Sequence, residues 1–223
     1  MKCVILSDSH NQHRDINLPE GDILIHCGDF TMGGKENEIT DFLKWLGEIE
    51  KNYQKVFIVP GNHDGAISSY RLIYEDLLKA HTKNTVDLWL ETYRKNQVYM
   101  FDGYSFFGFP YVPFHRTVND FFVEEDRHEE LVDNILDCNI LVSHGPPLGY
   151  LDLGGHYNKN LGSFALKEKV LNMPDLKLMA FGHIHEQGGK EYKYKDTLLV
   201  NAALLDYPAY DMVSKPMVID IND

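Results

Sequence analysis

The 223-residue sequence has little cysteine, a shortage of positive charge and no long apolar run, and each lack excludes a class of protein. Three cysteines, Cys3, Cys27 and Cys138, are too few for a disulfide frame. Each lies in or beside an apolar stretch, so they read as buried thiols of a reducing compartment. Twenty-one Lys and Arg stand against 34 Asp and Glu, a formal net charge of −13. That argues against stable nucleic-acid binding, which calls for a basic face. No stretch approaches the ~20 apolar residues of a membrane span, so no membrane partner is expected. After Met1-Lys2 only Cys3-Val4-Ile5-Leu6 is apolar, short of the about 7–15 residues of a signal-peptide core, and the reading is a cytoplasmic protein. No repeat, low-complexity linker or composition shift divides the chain, and one domain over residues 1–223 is expected.

What the sequence holds in quantity is histidine, eleven in all, bunched rather than spread. Residues 2–6 read as a strand buried on both faces, residues 22–27 as a second and residues 55–59 as a third. Between the last two lies a helix over residues 36–51, in which Ile39, Phe42, Leu43, Leu46 and Ile49 follow the helical period. This order predicts a largely parallel central sheet. Residues 66–95 read as mostly helical, with Tyr70, Ile73 and Leu77 on one face and a break near Asn84. Residues 97–101 and 104–109 flank Asp102-Gly103, a hairpin turn pair. Further on come a helix at about 119–137, a strand at 139–143, a glycine-rich surface loop at 148–162 and a helix at 163–172. A strand at 177–181, a hairpin over 191–200 and a strand at 217–221 complete the chain.

Five apolar runs end alike, in a sharp turn followed by His, Asp or Asn. The turns are Asp8-Ser9-His10, Gly28-Asp29, Gly61-Asn62-His63-Asp64, Ser143-His144-Gly145-Pro146-Pro147 and Gly182-His183-Ile184-His185. Loops leaving buried strands are where ligands sit in α/β folds. Asp8, His10, Asp29, Asn62, His63, His144, His183 and His185 are all oxygen or imidazole donors. That set suits Mn, Fe, Co, Ni or Zn and does not suit a structural thiolate zinc site. Asp8/His10 and His183/His185 are i, i+2 pairs, which point to one side of an extended segment. Any one of these histidines could simply close a strand end by hydrogen bonding. Five such turns in one chain point instead to a shared metal centre.

With these motifs in this order the chain resembles the calcineurin-like metallophosphoesterases, from residue 4 to about residue 202. Within them it is similar to a small phosphodiesterase branch that includes vertebrate brain metallophosphoesterase-domain proteins. The matching pieces are Gly28-Asp29-Phe30-Thr31, His144-Gly145-Pro146-Pro147-Leu148-Gly149, Phe181-Gly182-His183-Ile184-His185-Glu186 and Asn201-Ala202. The resemblance implies an α/β fold, an αββα sandwich of two mixed β-sheets flanked by helices. It also implies two divalent metal ions, with Asp8, His10 and His185 on the first, Asn62, His144 and His183 on the second, and Asp29 bridging. The implied reaction is hydrolysis of small phosphodiesters, nucleotides among them, by in-line attack of a hydroxide bridging the metals, with His63 as proton donor. Charge agrees: two divalent ions set against Asp8, Asp29 and a hydroxide leave the centre near about +1, enough to hold a phosphate in an acidic protein.

The alternatives are a phosphomonoesterase and a metal-binding scaffold with vestigial activity. The chain keeps all seven ligands and the acid, which disfavours the scaffold. Protein Ser/Thr phosphatases of this superfamily continue the second motif with Asp and Arg; Asp29-Phe30-Thr31-Met32-Gly33-Gly34 has neither, which disfavours a phosphoprotein substrate. Outside the motifs, the aromatic, proline-constrained segment 109–116 offers Tyr111, His115 and Arg116 as substrate contacts, and the glycine-rich loop offers His156. A loop packed on the sheet is the competing reading. His26, inside a strand, reads as a satisfied core residue. Asp64 stands between two roles, orienting His63 or capping the helix that follows.

Overall fold

A computed structural model of the chain describes residues 1–113, 121–155 and 159–221. Two sheets form its centre. In the first, Lys2–Leu6, Ile23–His26, Lys55–Ile58 and Thr85–Asp87 run parallel, and Met217–Asp220 closes the edge antiparallel to Lys2–Leu6. In the second, Tyr104–Phe109, Ile140–Ser143, Leu178–Phe181 and Thr197–Asn201 run parallel. Tyr99–Phe101 and Lys190–Tyr194 are the antiparallel edges of that sheet.

Alternation along the second sheet shows why both of its faces are dry. Phe106, Ile140, Val142, Leu178, Ala180 and Val200 point into the core shared with the first sheet. Their neighbours Phe107, Leu141, Met179, Phe181 and Leu199 point the other way, towards Leu131, Val132, Leu166 and Val170. Those four belong to the helices Glu125–Val132 and Phe164–Leu171. A period of two with both phases apolar is the mark of a strand buried on both faces. The sheets meet through contacts such as Phe57 on Phe106, rings stacked at 4.3 Å. Helix Glu36–Ile49 covers the outer face of the first sheet with Ile39, Phe42, Leu43, Trp45 and Leu46. The layers are therefore helix, sheet, sheet, helix: the αββα sandwich. Each large apolar side chain removed from water in this way stabilises the fold by about 1.5–3 kcal/mol before entropy is set against it.

The register brings the strand ends together. Ser7 N–H donates to the Ala202 carbonyl at 2.9 Å and Leu204 N–H returns to the Ser7 carbonyl at 3.1 Å, joining the two sheets at the C-terminal ends of their parallel strands. All five motifs leave from C-terminal strand ends. The expected strands at 2–6, 22–27, 55–59, 104–109, 139–143, 177–181 and 217–221 stand where they were placed, within a residue or two.

Three expectations are corrected. Residues 66–95 include the strand Thr85–Asp87 and a π-helical turn, Trp89–Tyr93, as well as the helices Ala66–Ser69 and Arg71–His81. On the last of these helices the buried face is set by Tyr74, whose hydroxyl donates to the buried Asp87 carboxylate at 2.6 Å, whereas Tyr70 and Ile73 are 61% and 51% exposed. One buried hydrogen bond outranks the apolar count there. Among the described residues the helix expected at 119–137 is Glu125–Val132, in which five of the first six residues are charged.

A candidate metal centre at the strand ends

Each motif turns sharply as it leaves its strand. Asp8, His10, Asp29 and His183 all have positive φ, at 55°, 39°, 54° and 66°. Non-glycine residues rarely adopt that region and do so at a cost, so four such residues in one place mark a functional turn. The glycines of the motifs serve close approach. A Cβ on Gly182 would fall on the Asp8 carboxylate and the Ser7 hydroxyl, and one on Gly61 would fall on the Asp29 carboxylate.

The histidines are aimed by backbone carbonyls. His10 Nδ1 lies 3.2 Å from the Thr31 carbonyl, His144 Nδ1 2.9 Å from that of Cys27 and His185 Nδ1 2.8 Å from that of Leu205. A carbonyl only accepts, so each Nδ1 carries the proton and each Nε2 lone pair is turned inwards. Those Nε2 atoms face oxygens. His185 Nε2 is 3.5 Å from Asp8 Oδ1; His144 Nε2 is 3.3 Å from Asp29 Oδ2 and 2.9 Å from Asn62 Oδ1; His10 Nε2 is 3.9 Å from Asp29 Oδ2. The other oxygen of each carboxylate is tied down, Asp8 Oδ2 by His183 N–H at 2.9 Å and Asp29 Oδ1 by His63 N–H at 2.7 Å.

Two sets of donor atoms result, each within 4.8 Å of one another: Asp8, His10 and His185, and Asp29, His144 and His183. A third set, His10, Asp29 and His63, links them. Asn62 joins the second through His144. Whether the pocket fits a cation is answered by its unmet atoms. Asp8 Oδ1 and His10 Nε2 are buried and without a hydrogen-bond partner. Leaving such groups bare costs about 1–3 kcal/mol each, more when charged, and a cation would satisfy both.

The titration behaviour agrees. Burial opposes ionisation of Asp8 and Asp29, yet the histidines around them overcome it and hold both carboxyl groups below the usual range. Burial presses His144 down, but the Asp29 carboxylate prevails and raises it to about 9. Burial and the neighbouring His144 lower His183 to about 3. The pocket holds carboxylates and calls for positive charge, as a metal site does.

His63 stands apart in one respect. Its Nδ1 is 2.6 Å from the Met32 carbonyl, its ring meets that of His10 edge-on at 4.7 Å, and it is half-exposed where Asp8, His10, Asp29 and His144 are buried. Asp64 takes neither role considered for it. Buried, it accepts from the N–H groups of Gly61, Phe30 and Thr31 and from the Thr31 hydroxyl, at 2.6–3.3 Å, and so binds the Asp29 and Asn62 turns together. Burial and the nearby Asp29 raise its pKa to about 7.

Of the substrate candidates, Tyr111 packs among Tyr93, Phe109 and Phe121, and its hydroxyl accepts from Trp89 Nε1 at 3.3 Å. The competing reading, a packed loop, describes it. His115, Arg116 and His156 lie outside the described residues. The structure adds aromatic neighbours with no motif to announce them: Tyr210 beside His10, Tyr207 beside His185 and Phe122 beside His183. Asn201 is a further addition. Its amide donates to the Ile184 carbonyl at 3.0 Å and its oxygen accepts from Ala203 N–H at 3.1 Å, fixing the His183–His185 turn. The three cysteines are buried free thiols; burial raises Cys3 and Cys138 to about 12.

Two facing mixed sheets with an oxygen and imidazole cluster at their strand ends define a metallophosphoesterase, and the calcineurin-like phosphoesterase family model matches residues 1–187. The chain belongs to that family, whose members are metal-using hydrolases of phosphoesters. It is 30% identical to human metallophosphoesterase domain-containing protein 1 over an alignment covering 99% of this chain and 71% of that protein. It is 33% identical to a UPF0046 protein of Caenorhabditis elegans, over 91% of this chain and 69% of that one. Among solved structures, the sulfate thiohydrolase SoxB of Thermus thermophilus matches with a TM-score of 0.45 and 14% identity, over 81% of this chain and 33% of that one. No helix among the described residues is long and apolar enough to cross a membrane.

Proposed function

We propose that the protein is a phosphodiesterase of small substrates that works with two divalent ions, drawn from Mn, Fe, Co, Ni and Zn. One observation carries the dinuclear reading: Asp29 Oδ2 faces the inward nitrogens of both His10 and His144, so a single carboxylate reaches a histidine of each donor set. Asp8, His10 and His185 would hold one ion, Asn62, His144 and His183 the other, and Asp29 both. When bound, such ions act as Lewis acids on phosphoryl oxygens and make water acidic enough to supply a nucleophile near neutral pH.

The chain's own groups supply the rest. Asn62 is a neutral donor, which leaves the centre positive for a phosphate. Asp64 holds the Asp29 and Asn62 turns in register, and the carbonyls of Thr31, Cys27 and Leu205 keep three imidazoles in one tautomer. His63 is the proton donor to the leaving oxygen. Its Nδ1–H is held by the Met32 carbonyl, so Nε2 is the ring nitrogen left to carry the transferred proton. The leaving alkoxide needs that proton. The paired phosphatase-type Asp and Arg are missing after Asp29, which speaks against phosphoprotein. Buried unpaired thiols support a cytoplasmic setting.

The test is hydrolysis of bis(p-nitrophenyl) phosphate by protein loaded with Mn²⁺, Co²⁺, Ni²⁺, Fe²⁺ or Zn²⁺. Turnover abolished by chelation and faster than that of p-nitrophenyl phosphate is expected. No turnover with any of the five would leave the scaffold reading; a faster monoester would make the protein a phosphomonoesterase.

A further inference from the structure

Residues 205–212 form a closed turn at the mouth of the metal centre. Leu205 bridges Met212, Asp206 N–H donates to the Asp211 carbonyl at 2.9 Å, and Asp211 N–H donates to Asp206 Oδ1 at 2.8 Å. Two bonds anchor this turn to the centre itself. Gln12, beside the first motif, donates from its amide to the Tyr210 carbonyl at 2.8 Å, and the Leu205 carbonyl accepts from His185 Nδ1. The turn is therefore tied to both the His10 and the His185 motifs.

Two tyrosines project from it. The Tyr210 ring meets His10 at 4.9 Å and His185 at 5.8 Å, both edge-on, and walls the first donor set on one side. Tyr207 leans on Tyr210 at 5.8 Å and an 87° interplanar angle, and reaches His185 at 6.3 Å. Yet Tyr207 is 59% exposed. Tyr70 is as exposed, but it lies outside the donor sets; Tyr207 is held on a hydrogen-bonded turn beside them, with much of its surface open to water. Tyrosine in that setting gives a flat, apolar contact at low entropy cost.

We infer that Tyr207 is a substrate-binding platform, which stacks on a planar aromatic group, a nucleobase or an aryl ring, carried by the ester arm that is not the leaving group, while Tyr210 positions it against the His10 and His185 side of the centre. The inference rests on the phosphodiesterase reading and adds a substrate class to it. Stacking of a base on an aromatic side chain is worth about 1–3 kcal/mol by alanine substitution, or about 5- to 150-fold in affinity. It is indifferent to which base is present, so it selects aromatic esters over alkyl ones.

The experiment compares three diesters that release the same p-nitrophenol: thymidine 5′-(p-nitrophenyl) phosphate, phenyl p-nitrophenyl phosphate and ethyl p-nitrophenyl phosphate, with Mn²⁺-loaded protein. Tyr207→Ala is expected to lower kcat/KM at least about five-fold more for the thymidine ester than for the ethyl ester, through KM, and Tyr207→Trp to restore it. An equal loss with phenyl assigns the platform to any aryl group; a loss confined to thymidine assigns it to nucleobases. Equal losses on all three esters, or none, would overturn the inference. Should the wild type cleave none of them, the phosphodiesterase reading fails and the platform is judged on binding alone. Thymidine 5′-monophosphate titrated calorimetrically into Mn²⁺-loaded protein should then bind more weakly to Tyr207→Ala than to wild type. No binding, or equal binding, overturns it.

Discussion

Two regions of this molecule bury histidine, and they complete it differently. Under helix Glu125–Val132, His128 is closed on both nitrogens: Nε2 lies 3.2 Å from the Tyr111 carbonyl and Nδ1 3.2 Å from the Ser163 hydroxyl. His26, within its strand, is closed likewise by Ser9 and by Gly28 N–H. At the strand ends, the Nδ1 atoms of His10, His144 and His185 are closed by backbone carbonyls, and their Nε2 atoms turn towards carboxylate and amide oxygens that crowd one another. Burial is common to both regions, so burial does not mark the site. The mark is several half-completed donors converging. His13 shows that one unmet atom is insufficient: its Nδ1 is bare, but its Nε2 pairs with Asp41 at 3.1 Å among the rings of Phe42 and Trp45, and it belongs to no donor set among the described residues.

The largest effect that would test this contrast comes from Asp29→Asn. Removing the shared charge should empty both sites, so that metal content after loading with Mn²⁺ falls from about two ions to below one and diester turnover disappears. Two ions retained would break the comparison at its centre. Next is His63→Ala, expected to keep its metal and lose about 10²–10⁴ in turnover. Loss of metal instead would move His63 into the ligand set, where its proximity to His10 and Asp29 already places it within reach.

His128 should behave in the opposite way. His128→Gln is expected to cost about 1–3 kcal/mol in urea unfolding, by unpairing Tyr111 and Ser163, with metal content unchanged. Burial lowers His128 to about 4, so it is neutral when folded and takes up a proton on unfolding. Its contribution is fully present above about pH 6.5 and is lost as pH falls towards about 4, by up to about 3 kcal/mol. Asp64 and Asp87, raised by burial to about 7, act with the opposite sign, stabilising the fold as pH drops from about 7 to about 4. The His128 contribution is therefore read as the difference between wild type and His128→Gln across that window, and parallel pH curves for the two proteins would refute it. The smallest effect is at Glu48. Its pair with Arg14 is at the surface, and Glu48→Ala should change stability by less than about 1 kcal/mol and metal content not at all.

Much of the site was legible because metal chemistry restricts its residue types and strand ends restrict their places. Asp8, His10, Asp29, Asn62, His144, His183 and His185 could all be picked out one by one, since each follows an apolar run whose period is readable. Their partners could not. The carbonyls of Thr31, Cys27, Leu205 and Met32 belong to residues whose side chains carry no such signal, and a carbonyl is present at every position. Asp64 was visible but not its task, because its four donors come from two turns separated by more than thirty positions. Tyr70 and Ile73 show the reverse error, an apolar period read as core when a buried Tyr74–Asp87 hydrogen bond had turned the helix.

By itself the sequence determined where most strands lie along the chain, the two-sided burial of the first and the donor types at the strand ends. Those follow from local period and from the chemistry of individual side chains. Only the tertiary structure decided which donors share an oxygen, which imidazole nitrogens face inwards and which rings wall the mouth. Those depend on distances between turns that the chain keeps far apart and that the pairing of two sheets brings within hydrogen-bond reach.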